Sequence, residues 1–110
     1  MSVKINEPYV VGEKPSPLTY AFLDSSGVPI DISGFQAKFT YQERFGTAQS
    51  VSATVSDGPS GKATYTFTGT EFTTPGRYRA QFWVGNGTNR YASTTIEFDV
   101  AASIGPAPGI

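Results

Sequence analysis

The sequence predicts an all-β fold, an antiparallel β-sandwich of about seven short strands, from three observations. Five stretches alternate apolar and polar residues with the period of two that a sheet with one dry and one wet face requires. Clusters of Gly, Pro, Asn, Asp and Ser separate these stretches at short intervals. A tyrosine, Tyr78, stands two residues after Gly76 at the start of a long alternating run.

In chain order, residues 1–9 form an N-terminal arm in which Pro8 blocks a long element, and Tyr9-Val10-Val11 reads as a short first strand at a sheet edge. Leu18–Asp24 follows, with Leu18, Tyr20 and Phe22 on one face. Ser25-Ser26-Gly27 is a turn, because Gly27 accepts the positive φ that closes it. Val28–Ile32 is edge-like, since Pro29 cannot donate to a ladder. Ser33-Gly34 leads into Phe35–Glu43, the cleanest alternation in the chain: Phe35, Ala37, Phe39 and Tyr41 face one way, and Gln36, Lys38 and Thr40 the other.

After a connection over 44–49, Val51, Ala53 and Val55 alternate through Ser50–Ser56. Asp57-Gly-Pro-Ser-Gly61 turns the chain into Lys62–Thr68, where Ala63, Tyr65 and Phe67 share a face. Residues 69–75 are a connection with room for one helical turn. In Gly76–Val84, Tyr78, Ala80, Phe82 and Val84 point inward, while Arg77, Arg79, Gln81 and Trp83 point outward. Gly85–Asn89 is an Asn-Gly hairpin loop. The last strand is predicted as one piece, Tyr91–Val100, with Ile96, Phe98 and Val100 inward and Tyr91 outward. Residues 10–100 thus form the sandwich, and 101–110, rich in Gly and Pro, a flexible tail.

At 110 residues the chain is one domain, able to bury a core without staples. Charged residues make up only 15%, so Ser, Thr, Asn, Gln and Gly finish the surface, as on proteins packed into an assembly. A net charge of −1 leaves no electrostatic footprint for nucleic acid or an anionic membrane. The absence of Cys removes disulfides and thiolate sites. No long apolar run suggests a membrane span or signal peptide, so synthesis in the cytoplasm is expected.

Tyr78 occupies the place where immunoglobulin-type sandwiches keep a tyrosine that bonds back to the backbone at a strand corner; Ala80 replaces the cysteine of antibody domains. The predicted sandwich is therefore immunoglobulin-like. The ordered set Leu18–Asp24, Ser26-Gly-Val-Pro-Ile-Asp-Ile-Ser-Gly34, Gly61-Lys-Ala-Thr-Tyr65 and Pro75-Gly-Arg-Tyr-Arg-Ala-Gln-Phe82 resembles the Ig-like N-terminal domain of upper baseplate proteins in tailed phages. The likeness runs through residues 10–100. It implies a structural protein of the virion, made in the host cytoplasm, with capsid, connector or tail subunits as partners and many copies in a symmetric assembly.

The residues offer little chemistry. With neither His nor Cys, no general base stands beside a nucleophile, and no lysine has the apolar surroundings that lower its pKa. No catalytic residue, cofactor or metal ligand is expected. Asp24, Asp31 and Asp57 sit at turns, where they bond neighbouring backbone N–H groups. Asn86-Gly-Thr88 matches a glycosylation acceptor but reads as a hairpin. The candidate interface is the outward set Trp83, Tyr91, Arg79, Gln81 and Lys38, with Glu97 at its border, because interface cores favour Trp, Tyr and Arg. Two adjacent outward rings, Trp83 and Tyr91, also suit a surface glycan, so a carbohydrate-binding module of an adhesin is the alternative function.

Overall fold

The computed structural model describes residues 9–106 and 108–109; the rest of the expected N-terminal arm, together with Ala107 and Ile110 of the tail, lies outside the described residues. The strands are β1 (Tyr9–Val10), β2 (Leu18–Ala21), β3 (Gln36–Glu43), β4 (Gln49–Asp57), β5 (Lys62–Tyr65), β6 (Gly76–Gly85), β7 (Arg90–Ala92) and β8 (Ile96–Ala101). They hydrogen-bond in the order β1-β8-β6-β3-β4-β5-β2, with β7 also on β6. There is no helix among the described residues, and 69–75 is irregular.

The all-β expectation holds, with two differences. The pairing is mixed, because β1 runs parallel to β8 while every other ladder is antiparallel. And β4 belongs to both halves: Gln49–Ala53 pairs with β3, whereas Thr54–Asp57 pairs with β5 across an irregularity between Val55 and Asp57. A bulge bends its strand and increases local twist. The sheet therefore curls around one core, closing as a sandwich or half-barrel.

The core is aromatic. Phe39, 1% exposed, stacks on Tyr65 at 4.4 Å between ring centroids and meets Phe82 edge-on at 5.0 Å. Tyr9 stacks on Phe72 at 5.3 Å and abuts Phe98, which ties β1 to the far end of the chain. Of the inward residues expected of β3 and β6, Ala37, Phe39, Tyr78, Ala80, Phe82 and Val84 are buried, and Phe35 and Tyr41 are half-buried against the core. The Tyr78 hydroxyl donates to the Thr74 carbonyl at 2.8 Å, the back-bond expected at that corner.

Residues 28–32 are edge-like, as expected, but too short to count as a strand. A bridge joins Leu23 to Pro29, flanked by Asp24 N–H to Val28 O and Ile30 N–H to Phe22 O, so 28–30 pairs back on 22–24, and Ile32 N–H then reaches Gly58 O in the 57–61 turn. Gly61 makes this approach possible. At φ +71° it sits so close that a Cβ would fall 2.5 Å from Phe22 O and 2.7 Å from Ile30 O.

The predicted last strand is interrupted at Ser93–Thr95. Trp83 pairs with Ala92 and Ala80 with Ile96, so two residues of β6 face three on the other side: a one-residue bulge. Ser93, 4% exposed, supports it. Its N–H bonds to Phe82 O at 2.9 Å, and its Oγ accepts Phe82 N–H at 2.8 Å.

Candidate functional site

Along β6 every second side chain leaves the core, and pairing with β3, β7 and β8 sets its neighbours. Lys38 stands opposite Trp83, which on its other side faces Ala92; Thr40 stands opposite Gln81; Gln42, Arg79 and Glu97 form one row. Four of the five residues predicted as an interface, Lys38, Arg79, Gln81 and Trp83, therefore share one outer face. Trp83 is 37% exposed, one of the few large apolar side chains reaching solvent.

Tyr91 does not join them. It pairs with Val84, an inward position, and its ring lies parallel to Phe35 at 6.2 Å, packed against the core. The expected outward orientation assumed an unbroken strand to Val100. The bulge inserts one residue, and one residue reverses which face a side chain takes. Ile96, Phe98 and Val100 keep their predicted inward direction, and Tyr91 is turned in with them.

Charge divides this face into two parts. Toward the start of β6, Arg77 bridges Asp99 at 3.0 Å and Glu97 at 3.2 Å, and these carboxylates hold its guanidinium above the ordinary value. Arg79 donates from Nε and Nη2 to Gln42 Oε1, both at 3.1 Å. Gln81 Nε2 donates to Ser93 O at 2.9 Å. Toward the end of β6, Lys38 and Arg90 are exposed and have no ion-pair partner among the described residues. With Gln36, Trp83 and Asn89 they line a depression of about 310 Å³ to which no carboxylate contributes.

The turn residues behave structurally. Asp24 Oδ1 accepts Ser26 N–H at 2.8 Å and Val28 N–H at 3.0 Å; Asp31 Oδ1 accepts Ser33 N–H at 2.9 Å, and bonding to Ser33 holds its carboxyl below the ordinary value. Asp57 Oδ1 accepts Ser60 N–H at 3.3 Å. Asn86 Oδ1 accepts the N–H groups of Thr88 and Asn89 and so closes the hairpin that carries Arg90.

One residue of consequence was not singled out by sequence reasoning. Glu71, 4% exposed, accepts bonds from the Tyr65 hydroxyl, Thr68 N–H at 2.9 Å, Thr68 Oγ1 at 3.1 Å and Gly69 N–H at 3.0 Å. Burial by itself raises such a carboxyl, but these donors outweigh it and hold Glu71 below its ordinary value. Burial, and then the bond to Glu71, push the Tyr65 hydroxyl upward. Every oxygen is committed to bracing the 66–75 connection, which leaves this cluster a structural clasp. Its only sequence signal is a Glu within a Thr/Gly run, a pattern that solvated loops share.

Over residues 22–107 the chain matches the family described as the BppU N-terminal domain. No curated protein matches the chain.

Proposed function

The chain belongs to the BppU N-terminal domain family, a structural domain associated with the phage baseplate, and from that premise we propose that it is a non-enzymatic accessory block of the virion. In this reading the curled sheet, from β1 to β8, is a rigid unit, and the outer face of β3 and β6 docks against another virion subunit. The observation that carries the reading is the family match over most of the chain. The geometry of the outer face supports it: the partly exposed Trp83 shares that face with Arg79, and Trp and Arg are residue types that interface centres favour. Repetition on a symmetric assembly would give avidity to a contact that is weak in one copy.

Purified particles test this. The chain is expected in them, by mass spectrometry against the major capsid protein, at a few to a few dozen copies, the range for a baseplate or connector component. Hundreds of copies would move it to the capsid or tail surface, and none would overturn the virion reading. The carbohydrate alternative has lost its second ring, since Tyr91 packs inward on Phe35.

A further inference from the structure

The uncompensated half of the outer face deepens the docking reading and rests on it. Glu97 and Asp99, the carboxylates of this face, are both engaged by Arg77. Lys38 and Arg90, by contrast, line one depression with Trp83, and among the described residues no acidic side chain lines it. The trough extends from the 86–89 hairpin, through Asn89 and Arg90, across β6 at Trp83 and Gly85, to Gln36 and Lys38 on β3. Asn86 bonds to Thr88 and Asn89 hold the hairpin wall in place.

The geometry points to this trough as the seat of an acidic segment of a neighbouring virion protein, with a carboxylate between Lys38 and Arg90 and an apolar neighbour on the Trp83 ring. Charge complementarity selects the occupant: two cations without local counter-charge attract an acidic chain and repel a basic one. The shape favours an extended peptide over a sugar, because one aromatic ring is present and glycines line part of the trough. A second copy of this chain is a poorer occupant, since its net charge is only −1 and Glu97 and Asp99 are already paired.

The chain has a single tryptophan, so its emission reports on this trough alone. Titrating the full chain with hexaglutamate is expected to give a saturable change in Trp83 emission. The affinity is expected to weaken several-fold between about 50 and about 500 mM salt, and at least about tenfold in the doubly substituted Lys38→Glu, Arg90→Glu chain. Phe45→Ser, at the exposed tip of the β3–β4 connection, should bind as the parent does. Unchanged thermal unfolding of the double variant establishes that it is folded; should it unfold, Lys38→Gln with Arg90→Gln takes its place. The inference is overturned by an absent or non-saturable response, or by equal binding in the charge variants. It is equally overturned if polygalacturonate binds where hexaglutamate does not, which means a glycan site, or if the chain self-associates through Lys38 and Arg90. Loss of the double variant from particles that retain the parent chain supports both readings. A parent chain that binds hexaglutamate but is missing from particles defeats the virion reading and leaves the acidic recognition standing.

Discussion

Glu71 and Gly61 show how much of this fold hangs on single positions that face inward without being apolar. Replacing Glu71 by Gln puts a donor where Thr68 and Gly69 already present N–H groups, which should cost roughly 2–4 kcal/mol. The effect depends on pH. In the unfolded chain Glu71 titrates near its ordinary 4.5, and in the folded chain lower. Its charged form therefore contributes stability that is fully present above the unfolded value and is lost as pH falls through the folded one. Urea midpoints are expected to separate parent and Glu71→Gln widely at neutral pH and to converge in acid; a constant gap down to about pH 3 contradicts this assignment. Gly61→Ala combines a left-handed backbone with a Cβ in contact with two carbonyl oxygens, at a cost of roughly 2–5 kcal/mol. Gly27→Ala, which meets no atom within 4 Å, should cost only the backbone term. A smaller loss for Gly61→Ala than for Gly27→Ala in thermal unfolding would refute the close-approach argument.

At the scale of the element, the bulge between β7 and β8 has the largest consequence. Ser93→Ala keeps the backbone path but leaves Phe82 N–H without its side-chain acceptor, a loss of about 1–3 kcal/mol. The readout is faster hydrogen exchange at the Phe82 amide; unaltered protection there would show that Ser93 Oγ does not hold the bulge. Deleting Thr94 is harsher. Without the extra residue, either Tyr91 turns outward or Ile96 and Phe98 do, and the deletion variant is expected to lose cooperative unfolding. The regular elements were legible beforehand because alternation is a local property: β3 and β6 carry it over their whole length, and their inner faces are those the sequence predicts. The bulge was not, because Ser93-Thr94-Thr95 contains neither Gly nor Pro and suits a strand; only its pairing against β6 exposes the surplus residue.

For the whole molecule, the two faces of the curled sheet separate stability from binding. The inner face is a continuous hydrophobic cluster, rich in aromatic rings, from Tyr9 to Val100, and large-to-small substitutions there destabilise the chain. The outer face is peripheral to it. Trp83→Ala should lower stability by about 1 kcal/mol while removing the chain from virions, measured by thermal unfolding beside particle composition. Unaltered incorporation of Trp83→Ala would move the docking surface elsewhere on the domain. By itself the sequence determined the all-β class, the turns at Ser25–Gly27, Asp57–Gly61 and Gly85–Asn89, the corner bond of Tyr78, and the common face of Arg79, Gln81 and Trp83. Each of these depends on residues a few positions apart, where side-chain direction and turn chemistry are set by local backbone geometry. Only the tertiary structure decided that β1 runs parallel to β8, that β4 serves both halves of the sheet, that Tyr91 turns inward, that Glu71 is a buried clasp, and that Lys38 and Arg90 share a trough. Those outcomes depend on which segments distant in sequence come to lie side by side, and pairing between distant segments leaves no periodic trace in either one.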